Sequence, residues 1–111
     1  MINIEQAKSI LVPHDFTPVG DAALYHANLF AKKLNKSVVL LHVIENHDQK
    51  EEAMQKLEAI ASTNKKATWI DTGYTTSTGS FIEQIGIAAD ILNAAFVIMG
   101  THGIKGMQKI T

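Results

Sequence analysis

A chain of 111 residues, 46% of them apolar and 19% charged, has the length of one compact domain and enough apolar side chains for a core, which excludes a second domain and a disordered chain. The formal charge of −1, from ten lysines, no arginine and eleven acids, argues against nucleic-acid and anionic-membrane partners, because counterion release needs a clustered positive surface. The lack of cysteine excludes disulfide staples, thiol nucleophiles and thiolate metal sites together.

At the N-terminus, acidic Glu5 and the want of a basic lead before a hydrophobic stretch do not match a signal peptide. No segment approaches the roughly 20 apolar residues that span a bilayer, so a cytoplasmic protein is expected. The run from Ser9 to Pro13, SILVP, reads as a strand buried on both faces and closed by proline. Thr17-Pro18 then reads as an N-cap followed by proline at the first helical position. Leu24, Ala27, Ala31 and Leu34 give the apolar stripe of a helix over 18–34. A second buried strand is predicted over Ser37 to Val43, SVVLLHV, after a connection of two or three residues.

Asp48 with Glu51 resembles a capping box, and Ala53, Leu57, Ile60 and Ala61 line one face of a helix over 48–63. Ala67 to Thr72, ATWIDT, is read as a third and weaker strand. Ser80 with Glu83 caps a further helix whose inner face is Ile82, Ile85, Ala89 and Leu92. Ala95 to Met99, AFVIM, is the fourth strand and runs into Gly100-Thr101-His102-Gly103. Strands alternating with helices predict an α/β fold: an open, doubly wound parallel sheet with helices on both faces. In such sheets ligands bind beyond the carboxyl ends of the strands, where the strand order reverses, which directs attention to the loops after the first and fourth strands.

After the first strand, the carboxylate of Asp15 can accept from ribose hydroxyls or help hold a cation, or it can satisfy the amides of its own turn. After the fourth, glycines permit close backbone approach to a phosphate. That loop lacks both the P-loop ending and the G-x-G-x-x-G spacing, so neither a Walker NTPase nor a Rossmann dehydrogenase is supported.

In this order, ILVPHDFTP, VVLLHV and AAFVIMGTHGIKGMQKIT resemble the universal stress protein family over nearly the whole chain. The resemblance implies a Rossmann-like sheet of the adenine nucleotide alpha hydrolase-like kind, and an adenine nucleotide, ATP or AMP with or without Mg, as ligand. By position, Pro13 and Asp15 would flank adenosine, Val43 would contact adenine through its backbone, and Met99, Gly100, His102 and Gly103 would begin the phosphate loop. Apart from the resemblance, Lys105 can pair with a phosphate as a point charge or be a solvated loop lysine. The chain stops at Thr111, inside the loop that family members continue into another helix and a fifth strand. Those elements are therefore expected to be missing, with Ala95 to Met99 left as an apolar edge that pairs with a partner, as in a homodimer, swaps elements or aggregates.

The functions implied are a nucleotide-binding stress-response regulator, an interaction module without nucleotide, or a slow ATPase; no catalytic base is evident. A metal site from His14, His102 and Asp15 is rejected, because nothing in the spacing makes the three converge. A phosphoacceptor receiver domain is also rejected, since His14-Asp15 offers one acid where that site needs two.

Overall fold

The computed structural model describes residues 7–100. In it, β1 (Ser9–Pro13), α1 (Pro18–Leu34), β2 (Ser37–Ile44), α2 (Lys50–Thr68), β3 (Thr72–Thr78), α3 (Phe81–Ile91) and β4 (Ala94–Val97) follow one another, with a single 3-10 turn, His47–Gln49, before α2. The four strands form one parallel sheet in the order β3-β2-β1-β4. All connections between parallel strands are helical crossovers, so every helix starts at the carboxyl edge of the sheet and ends at the amino edge.

One face is covered by α1 and α2. There Ile10, Val12, Val38 and Leu40 of the sheet pack against Ala23, Leu24, Ala27, Ala31, Leu57 and Ala61. The opposite face has α3 alone, with Leu11, Leu41, Ile85, Ala88 and Ala94 in its buried cluster. Alanine along α1 lets the helix lie close to β1, while leucine fills the space between α1 and α2; truncating fully buried Leu57 would cost about 3 kcal/mol. Asn64, buried in α2, exchanges amide hydrogen bonds with Asn28 of α1 at 2.8 and 3.0 Å and donates to the Thr72 hydroxyl at 3.0 Å. A polar group on an inward face is thus satisfied while it fixes α1, α2 and β3 together.

Several boundaries differ from the sequence reading. Residues 67–72 are not a strand: α2 runs on through Thr68, Trp69 caps it, Ile70 turns back into the core, and β3 begins at Thr72. The actual strand, TGYTTST, lies at the sheet margin, so its β-branched threonines are only half covered and it lacks the apolar run sought. Asp71 accordingly precedes β3. The helix after β2 starts at Lys50 with Gln49 as N-cap, and the local back-bond comes from the Asn46 N–H to the Gln49 side chain at 3.4 Å, not from Asp48 and Glu51. Ser80 is the N-cap of α3, but its side chain makes no capping bond. Ile82 is 71% exposed and lies off the inner face of α3, and Leu34 is exposed at the end of α1. β4 is read two residues short of Met99, although the Ile98 N–H still bonds the Leu11 carbonyl at 2.9 Å.

Candidate functional site

The chain lays β2 and then β3 to one side of β1 and returns past β1 to place β4 on the other. The carboxyl ends of β1 and β4 are therefore neighbours at the point where the winding reverses. The loop after β1 is fixed there by a chain of ring contacts. His14 is buried; its Nδ1 accepts the Phe16 N–H at 2.9 Å, so Nε2 carries the proton and donates to Asp21 Oδ1 at 3.0 Å. The His14 carbonyl accepts from His42 Nδ1 at 2.7 Å, and the His42 ring stacks on Phe16 with centroids 4.2 Å apart. Phe16 itself adopts φ 64°, a left-handed conformation rare for an aromatic residue. The Lys56 ammonium lies 5.2 Å from the Phe16 centroid.

This scaffold turns Asp15 outward. Its carboxylate accepts from the Thr17 N–H at 3.1 Å and from the Thr17 hydroxyl at 2.6 Å, an Asx-turn, and Thr17 Oγ1 accepts in turn from the Val19 N–H as the cap of α1. Turn-fastening is thus one role Asp15 certainly has. A small cleft of about 30 Å³ is lined by Pro13, His14, Asp15, Val19, Gly20, Phe81 and Gly100. Pro13, Asp15 and Gly100, named from two loops far apart in sequence, meet there.

Gly100 does not use a positive φ; among the described glycines only Gly79 does. Its need for glycine comes from close approach, because a Cβ would lie 2.3 Å from Val19 Cγ1 and 2.9 Å from the Val19 carbonyl oxygen. Gly20 is the counterpart inside α1, where a Cβ would meet the His14 ring at 2.8 Å. Val43 and Met99 are not among the residues lining the cleft; both are partly buried against the Leu11 and Leu41 cluster. The last β1–β2 pair is Pro13 with Leu41, whereas β2 continues beside β3 as far as Ile44. Val43 therefore stands beyond the end of β1. His102, Gly103 and Lys105 lie outside the described residues. Phe81 carries no signal in the sequence: Ser80 and Glu83 locate a helix start, but nothing local shows that its first residue faces the β1 loop.

Among the described residues, no three His, Asp or Glu side chains gather in a way that would hold a metal ion. The charges are unevenly distributed between the two edges of the sheet. Asp15, Asp21, Glu45, Asp48, Glu51, Glu52 and Glu83 lie toward the carboxyl edge with only Lys50 and Lys56 of the described lysines among them, while Lys8, Lys32, Lys33, Lys36, Lys65 and Lys66 lie toward the amino edge with Asp71 and Asp90. The cause is topological. Acids in the first turns of all three helices and lysines in the last turns of α1 and α2 complement those helix dipoles, and parallel winding aligns the helices, so the local preferences add; α3, with Asp90 in its last turn and no lysine there, is the exception.

The same fold is found in solved structures. A universal stress protein family member from Burkholderia pseudomallei superposes with a TM-score of 0.76 at 19% identity, covering 94% of this chain and 89% of that one. A universal stress protein in complex with cAMP gives a TM-score of 0.74 at 16% identity over 88% of this chain and 75% of the other. A hypothetical protein whose biochemical function was assigned from its structure gives 0.61 at 28% identity over 86% and 76%. No curated protein matches the chain in sequence. Residues 6–111 match the Universal stress protein family model, and the chain belongs to that family.

Proposed function

We propose that the protein binds an adenine nucleotide, ATP or AMP, at the carboxyl edge of the sheet and acts as a nucleotide-responsive stress regulator, not as a metabolic enzyme. The observation that carries this reading is the meeting of Pro13, Asp15 and Gly100 around one cleft at the winding reversal. Packing against Val19 already accounts for glycine at position 100, so the support from this residue is its place at the carboxyl edge beside Pro13 and Asp15. A structurally similar family member is in complex with cAMP. Asp15 and Pro13 would flank the adenosine, Val43 would offer backbone groups beyond the end of β1, and Met99, Gly100, His102 and Gly103 would lead into the phosphate loop.

The acidic carboxyl edge bears on the form of the ligand. Among the described residues, seven carboxylates against Lys50 and Lys56 leave this edge net negative and oppose a polyanion, so ATP would bind better with Mg than without it, whereas AMP would depend on the cation less. The alternative, an interaction module without nucleotide, is favoured by one observation: the Asp15 carboxylate already has a structural task in its own turn. Among the described residues β4 is a margin strand, with Phe96 and Val97 exposed, and in either case we assign that side of the sheet to a homodimer.

Native mass spectrometry of the purified protein, followed by calorimetric titration with ATP and AMP in the presence and absence of Mg, tests the assignment. Co-purifying nucleotide, or affinity that Gly100→Ala reduces at least about tenfold with the fold intact, is expected. An unliganded protein that takes up neither nucleotide would overturn it in favour of the interaction module.

A further inference from the structure

The amino edge of the sheet, opposite the nucleotide site, carries features that nucleotide binding does not use. Trp69 is 84% exposed. It terminates α2 at φ 64° and ψ 12°, with its N–H bonded to the Lys65 carbonyl. Left-handed residues also end the other two helices, but there they are Asn35 at φ 56° and Asn93 at φ 50°. Asparagine is among the few residues that enter this conformation readily, and an exposed tryptophan is a poor choice on conformational grounds. Strain at an exposed aromatic with no packing to compensate it points to a use outside the fold.

The surroundings indicate which use. Lys32, Lys33, Lys36, Lys65 and Lys66 occupy the last turns and exits of α1 and α2, and Lys8 precedes β1 at the same edge. Asp71 pairs with Lys65, and the Lys36 ammonium donates to the Ala7 carbonyl. Lys32, Lys33 and Lys66 have no carboxylate partner among the described residues. Between the helix ends lies a hollow of about 330 Å³ whose wall includes Lys32, Lys36, Ser37 and Trp69, together with Asp71, whose carboxylate is paired with Lys65. Leu34, exposed at the end of α1, adds an aliphatic side chain to the same edge.

We propose that this edge docks on an anionic lipid surface, with Trp69 as the interfacial anchor and the lysines as the electrostatic contact; the overall charge of −1 argues against such a partner only while the lysines are taken as dispersed, and the fold gathers six of them at one edge. Indole rings favour the headgroup level of a bilayer, and juxtaposed lysines are drawn to anionic leaflets. One apolar anchor with a basic cluster supplies the two signals that peripheral binding generally needs. Single-stranded nucleic acid is the less fitting partner, because its non-specific binders stack successive bases on several aromatic side chains, and here one indole stands without arginine or a second ring beside it. The opposite charge of the two edges would orient the docked molecule. The acidic carboxyl edge would be repelled from the membrane and would face away from it, leaving the nucleotide cleft accessible.

Trp69 is the sole tryptophan of the chain, so intrinsic fluorescence reports on this residue alone. Vesicles of phosphatidylcholine with about a third phosphatidylserine should shift its emission to the blue and sediment the protein, and added salt should release it. Pure phosphatidylcholine vesicles should do neither. Trp69→Asn, which installs the residue found at the other two helix ends, should keep the native circular dichroism and melt no lower than the parent, yet should no longer sediment with the vesicles. A Lys32→Glu, Lys66→Glu double variant should bind at least about tenfold more weakly. The proposal fails if anionic vesicles leave the emission unchanged, if both vesicle types bind alike, or if folded Trp69→Asn binds as well as the parent. It also fails if a single-stranded oligonucleotide produces the shift while vesicles do not.

Discussion

Phe16 and Trp69 share a backbone angle, φ 64°, at opposite edges of the same sheet. Around Phe16 the left-handed turn is enclosed: its N–H is held by the His14 ring, its own ring stacks on His42, and Lys56 covers it. Around Trp69 only the capping bond to Lys65 is present, and the ring stands in solvent. A strained conformation of roughly 1–2 kcal/mol is therefore offset by packing in one case and left largely uncompensated in the other. The carboxyl edge is built as a rigid seat whose geometry depends on tertiary contacts, whereas the amino edge is made of three local helix ends.

The seat can be broken most severely from beneath. Gly20→Ala would drive a methyl into the His14 ring, whose atoms lie 2.8–2.9 Å from the position of the new Cβ. Displacing that ring disturbs its bonds to Phe16 and Asp21 together. Overpacking and a lost buried bond cost about 3–4 kcal/mol, from which the better helix propensity of alanine returns about 1, leaving a net loss of about 2–3 kcal/mol. A melting temperature at least about 8 °C lower is expected. An unchanged melting curve would mean that the loop does not depend on the His14 ring as the contacts imply.

The comparison is sharpened by relieving the strain at Phe16 directly. Phe16→Gly removes the steric cost of positive φ, worth about 1 kcal/mol, but forfeits the half-buried ring and its stack on His42, worth about 2–3 kcal/mol. Chemical denaturation should show a net loss of about 1–2 kcal/mol. A stabilised Phe16→Gly protein would show that packing does not offset the strain and would erase the contrast with Trp69.

Much of this architecture is legible in the residues themselves. Thr17-Pro18 marks the start of α1, SILVP and SVVLLHV mark the two central strands, and the winding that brings the β1 and β4 loops together follows from the alternation of strands and helices. What is not legible depends on neighbours remote in sequence. TGYTTST looks like a loop until its place at the sheet margin explains why a strand can be half polar. Nothing local in Phe81 or Val19 announces contact with the cleft, and the requirement for Gly100 lies in the position of the Val19 carbonyl, not in its own dihedral angles. The segregation of lysines from acids is likewise invisible in composition, because it arises only when the helices are aligned by parallel crossovers.

Asp15 offers a finer cut, since its two candidate roles respond to different substitutions. Asp15→Asn retains an oxygen to accept from the Thr17 N–H but removes the charge, and stability should change by less than about 0.5 kcal/mol. Asp15→Ala removes the turn bonds as well and should cost about 1 kcal/mol. If the carboxylate meets ribose or a cation, both variants should weaken nucleotide binding by a similar factor in calorimetric titration. If it serves the turn alone, Asp15→Asn should bind as the parent does and only Asp15→Ala should suffer.

The smallest effect is expected at the opposite edge, and its sign is reversed. Trp69→Asn keeps the left-handed cap and its bond to the Lys65 carbonyl while replacing an aromatic residue by one that reaches this conformation readily. Little is lost on the other side of the balance, because an 84% exposed ring contributes almost no burial. The variant should be more stable by about 0.5–1 kcal/mol, read as a small rise in the denaturation midpoint at constant m-value. A tryptophan that makes the domain less stable than asparagine would, at the same place, is retained for something other than folding. A destabilised Trp69→Asn protein would instead assign the ring a packing role, and the two left-handed aromatics would then be alike.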